Sequence, residues 1–163
     1  MDTNLVEIWL RKDPKRIMAG AFAGAFAGLV ALLFSMVIAV VFGSELWFPV
    51  KVPAVILLGG SAMDYGFHTT PILVGLIMHE VLCIVLGMVY SHFTGTNYIP
   101  ALLGAGFTWG AFSWVFIQCL FTQSFTEIFA LRLPHGIAFF TCMVFGLSLA
   151  SVAFFDQMLR GRS

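Results

Sequence analysis

The apolar positions of this chain fall into four long runs with scarcely a polar break: 17–43, 71–93, 100–122 and 134–155. The runs are continuous rather than alternating, which predicts helices and rejects a membrane β-barrel. Each holds about 20 or more residues, enough to cross a hydrocarbon core about 30 Å thick at about 1.5 Å per residue. Pro71, Pro100 and Pro134 each open a run, where a missing N–H costs little. Glu80 is the single acid inside any of them. The pattern predicts an all-α fold: an integral membrane four-helix bundle forming a single transmembrane domain over 1–163.

Two shorter apolar stretches accompany the spans. The link between the first and second is itself greasy, and its core, PAVILLGGSAM at 53–63, is too short to cross. It is expected to be re-entrant or interfacial on the outer side, lying against protein or headgroups, because lipid does not tolerate exposed irregular backbone. Ahead of the first span, Leu5, Val6, Ile8, Trp9 and Leu10 lie between polar Asp2, Asn4, Glu7 and Arg11, predicting an interfacial helix over 3–12. The first run is longer than a signal-peptide core and three more follow, so it reads as a retained span.

Composition sharpens this. The chain is 60% hydrophobic and 10% charged, with a net charge of zero and 18 Phe among its 163 residues. Eight acids and eight bases cannot cover the surface of a water-soluble globule this small. A nucleic-acid binder would need a basic face, which zero net charge does not supply. Arg11, Lys12, Lys15 and Arg16 precede the first span, and Arg160 and Arg162 follow the fourth, while the opposite loops hold only Lys51 and Arg132. This asymmetry places both termini in the cytoplasm, with the N-terminal basic cluster as an anchor at anionic headgroups.

A shift of 82 positions brings the first and third runs into register, matching Ala19, Ala23, Gly24 and Gly28 with Ala101, Ala105, Gly106 and Gly110. The loop stretches SELWFPVKVP and TEIFALRLP also correspond, each carrying a hydroxyl, a Glu, a base and a Pro. Two like-oriented helical hairpins follow. Gly20, Gly24 and Gly28 form a ridge, and Gly106 and Gly110 sit at the same level. Small residues mark close crossings in a membrane, so the first and third spans are expected to form the central contact. The rival reading turns the ridge toward another chain.

Candidate chemistry centres on His79 and Glu80, about 12 Å below the outer end of the second span. Ionisable groups at such depth are functional candidates by default. Ser35, Ser113, Gln118, Thr141 and Cys142 fall near the same depth, which predicts a buried polar layer that either glues helices or handles a proton or ligand. At the outer face, Glu45 with Lys51 and Glu127 with Arg132 have the spacing of ion pairs, and the bases can snorkel to headgroups. No Glu-x-x-His pair, matched haem histidines or Cys-x-x-Cys spacing occurs, so no metal or haem site is expected, whereas bound lipid is. An outer cluster of His68, His135, Asp64 and Glu127 reads as solvated loop residues. No nucleophile motif appears.

The stretch GLIMHEVLCIVLGMVYSHF, Gly75–Phe93, and the AGAFAGAFAGLV opening of the first span resemble small bacterial four-helix inner-membrane proteins of the YagU-like kind. The resemblance implies the inner membrane, the topology and the His79 position, and no activity. The expected function is a non-catalytic accessory subunit of a larger, energy-transducing membrane assembly, with other integral subunits or a second copy as partners. The alternatives are a small oligomeric transporter or proton conductor using Glu80 and His79, and a haem- or metal-binding electron-transfer subunit.

Overall fold

The computed structural model describes residues 13–124 and 135–161, with backbone only for 118–124 and 135. Among these, every regular element is helical, and 4 helices are long and apolar enough to cross a membrane. Helix α1 is Pro14–Val41. The outer link contains α2 (Phe48–Lys51), a 3-10 turn (Val52–Ala54), α3 (Val55–Leu58) and a second 3-10 turn (Gly59–Met63). The second span is α4 (Thr69–Phe93) and the third α5 (Ile99–Ser124). The fourth is α6 (His135–Ser148), a 3-10 turn (Leu149–Ser151) and α7 (Val152–Arg160).

Local chemistry sets these boundaries. Asp13 caps α1 by accepting from the Arg16 N–H at 3.1 Å, and Pro14 occupies the first turn. The helix therefore begins at Pro14, ahead of the expected Ile17, and Lys15 and Arg16 belong to its first turn. In the outer link, Pro49 and Pro53 each sit at the start of a short helical piece. Gly59, at φ 68°, stops α3 in a conformation that a side chain resists. The interfacial helix expected over 3–12 lies outside the described residues.

Packing corrects the expected central contact. The ridge of α1 faces α4 rather than α5: a Cβ on Gly20 would strike the Gly87 carbonyl and Ser91, and one on Gly24 the Cys83 carbonyl. Gly106 and Gly110 of α5 meet Gly146 and Cys142 of α6 in the same way. The glycines thus join sequential helices. The physical reason is that a glycine ridge lets two backbones approach, and the nearest backbone in an up-down chain is the next helix. The contact-equivalent residues lie 86 apart in α1 and α5, and 59 apart in α4 and α6, not 82.

A second small-residue stripe, Ala19, Ala23, Ala27 and Ala31, is fully or almost fully buried and belongs to the same core as Phe145, Leu149, Val152 and Ala153. Helix α1 is therefore the pivot, with glycines toward α4 and alanines toward α6 and α7. The outer link rests on protein, as Phe48, Val50, Ala54 and Val55 are buried. The Val50 carbonyl sits so close above Gly75 of α4 that any side chain there would collide.

Candidate functional site

Three polar centres are spaced along the bundle axis. At one end of the bundle, the N-terminus of α1, the residues after α4 and the last turn of α7 converge on Arg16. Its guanidinium donates to the Thr94 carbonyl at 2.8 and 3.2 Å, to the Thr96 carbonyl at 2.7 Å, and to Asn97 Oδ1. It also lies 3.5 Å from Asp156 Oδ2, both side chains being only 4% exposed. Asn97 donates to Asp156 at 2.9 Å, and Arg160 bridges Asp156 and Asp13. Arg16 is thus a buried clamp and not the headgroup anchor its position in the sequence suggests. A planar fork with five donors suits converging carbonyls, and this need outweighs the pull of lipid phosphates. Lys15 is exposed, while Arg11 and Lys12 lie outside the described residues.

At the opposite end, Lys51 is 1% exposed. Its ammonium donates to Glu45 at 2.8 Å and to the carbonyls of Asp64 and Gly66 at 2.8 and 2.5 Å. The pair spaced by six residues in the sequence is brought together, with the lysine buried instead of snorkelling. Glu127 and Arg132 lie outside the described residues.

Between these clamps sits His79. Its Nε2 donates to the Gly28 carbonyl at 3.1 Å, and Cys83 Sγ lies 3.6 Å from the same nitrogen. Glu80 turns to the same stretch of α1, its Oε2 being 3.2 Å from where a Gly28 Cβ would stand. Its Oε1 is buried without a hydrogen-bond partner. The expected polar layer does not form a network among the described residues. Ser35 donates to Leu32 of its own helix at 2.8 Å, and the hydroxyls of Ser113 and Thr141 are buried without partners. Equal depth did not bring these groups together because they project from helices in different directions. The Gln118 side chain lies outside the described residues.

His79, Ser35 and Thr141 nevertheless share one wall-space. A cavity of about 570 Å³ occupies the outer half of the bundle, roofed by Pro49, Val52 and Ile56 and walled by all four spans. A smaller, polar hollow of about 220 Å³ adjoins the Arg16 clamp. Among the described residues no three His, Cys, Asp or Glu side chains gather as a metal site would require.

Several contact residues carried no weight in the sequence reading: Asn97, Asp156, Gly87, Gly146 and Tyr90, whose hydroxyl donates to the Leu102 carbonyl at 2.7 Å. A signal existed for two of them. Cys83–Gly87 reads CIVLG and Cys142–Gly146 reads CMVFG, a repeated Cys-x-Val-x-Gly. Compared with known proteins, the chain matches no family model and, at a significant level, no curated protein and no solved structure.

Proposed function

We propose that this multi-pass membrane protein is a non-catalytic accessory subunit of a larger membrane assembly of the energy-transducing kind. One observation carries this reading: Arg16 and Lys51, the two buried bases among the described residues, are already spent on carbonyls and carboxylates of this chain. Neither of these two bases then offers an unspent charge to a polar substrate. What remains for recognition is the apolar exterior, where Phe107 and Phe112 of α5 and Phe22 and Phe26 of α1 are exposed. In this proposal, other integral subunits or a second copy cover part of that exterior, lipids cover the rest, and neither haem nor metal takes part.

The proposal includes the arrangement. The chain is a duplication of two like-oriented hairpins, supported by the matched Cys-x-Val-x-Gly segments and their matched glycine partners. Asp13 and Arg160 meet, so both described ends lie at one end of the bundle. The basic bias assigns that end to the cytoplasm, with the interfacial helix over 3–12 on the same face and the bacterial inner membrane as the location, as the YagU-like resemblance implies. Reporter fusions at either terminus test the sidedness.

Extraction in mild detergent followed by native electrophoresis tests the subunit reading. A large co-migrating membrane partner is the expected result. A self-contained homo-oligomer that conducts protons, and stops doing so in Glu80→Gln, overturns it. That second reading has its own support in the unpartnered Glu80 oxygen near mid-bilayer.

A further inference from the structure

The cavity in the outer half of the bundle lies beyond anything the subunit reading requires. Among the described residues its lining contains no Asp, Glu, Lys or Arg. A phospholipid headgroup placed there would meet no cation for its phosphate, and its desolvation would go uncompensated. The polar groups that do line it are uncharged. His79 spends its Nε2–H on Gly28, which leaves Nδ1 as an acceptor. The Thr141 hydroxyl is buried with no partner, a state that costs free energy until something satisfies it. Ser35 donates to Leu32 and retains acceptor capacity.

Apart from Ser44 the rest of the described wall is apolar, and its rim includes Phe42 and Phe116, both exposed. These rings offer an apolar way in from surrounding acyl chains. The volume, about 570 Å³, is within the range of about 300–1,000 Å³ that holds a small-molecule ligand. From these features we infer that the cavity binds an uncharged lipid with a hydroxyl-bearing head. The head hydroxyl donates to His79 Nδ1, its neighbouring oxygen accepts from Thr141, and the tail leaves past Phe42 and Phe116.

The test uses the full-length protein in phosphatidylcholine nanodiscs, with a monoacylglycerol carrying a diazirine near its glycerol head. Photolabelling is expected to saturate and to map to 78–82 and 137–142. Excess monoolein competes, and a phosphocholine-headed version of the probe does not label these peptides. Thr141→Val keeps the shape and removes a hydroxyl that no protein group uses, so the fold survives while half-saturation rises about three- to tenfold, the worth of one hydrogen bond. Ala138→Trp fills the cavity and abolishes the label.

Unsaturable labelling spread over the outer faces of α1 and α5 overturns the inference. So does equal labelling by the phosphocholine probe, or indifference to Thr141→Val. Absence of label overturns it as well, and is the result expected if another helix or a segment of this chain fills the space.

Discussion

His79 of α4 donates from Nε2 to the carbonyl oxygen of Gly28, 3.1 Å away on α1, near the middle of both helices. A glycine at that position is what permits the approach, because a Cβ there would crowd Cys83 and Glu80. Interhelical hydrogen bonds within a bilayer are individually modest, since the unfolded helices also find partners. His79→Phe is therefore expected to cost about 0.5–1.5 kcal/mol in equilibrium unfolding from mixed micelles. A loss several times larger would mean that the imidazole carries more than this one bond.

The glycine crossings make a sharper prediction. Gly87→Ala and Gly146→Ala each push a methyl into the backbone of the facing helix. Backbone cannot yield as a flexible side chain can, so each should cost about 1–3 kcal/mol. Gly104 and Gly136 have open space where a Cβ would go, and alanine there should leave stability unchanged or slightly raised. The four variants measured side by side in one micelle system separate packing from helix propensity.

Arg16 gives the largest expected effect. Arg16→Met leaves the Thr94 and Thr96 carbonyls without their side-chain donor and takes one of two guanidinium partners from Asp156, which keeps Arg160 and Asn97, a loss of about 2–4 kcal/mol. Arg16→Lys should recover only part, because an ammonium does not present the planar fork that serves these acceptors together. Combined with Asp156→Asn, the losses should fall short of additive, since both changes dismantle one network. Additive losses would show that Arg16 acts through the carbonyls alone.

The four crossings were legible because hydropathy over about 20 residues is a property of sequence, and Pro100 and Pro71 mark helix starts within a residue or two of Ile99 and Thr69. The partner of each glycine was not. Registers of 82 and 86 differ by four residues, close to one helical turn, so both keep the small residues on one face, and Ala-Gly repeats do not choose between them. Arg16 was misread for a related reason. A base before a span looks like a headgroup anchor unless one knows that Thr94, Asn97 and Asp156 arrive beside it, and those come from positions 78 to 140 residues away. The cavity has no sequence signature, being a space among the described parts of the spans and the outer link.

The outer clamp allows a comparison of carboxylate with carbonyls. Lys51 is held by Glu45 and by two backbone oxygens of 64–66, so it ties the far end of the outer link to α2. Lys51→Met removes all three bonds and should release that stretch, seen as faster amide exchange over 59–66 and a new protease-sensitive site. Glu45→Gln leaves both carbonyls and a neutral acceptor in place, and its exchange rates should rise far less. Because the lysine is 1% exposed, moderate salt should change neither result, whereas a surface pair would be screened. Equal release in the two variants would mean that the carboxylate alone positions the ammonium and that the Asp64 and Gly66 carbonyls contribute nothing.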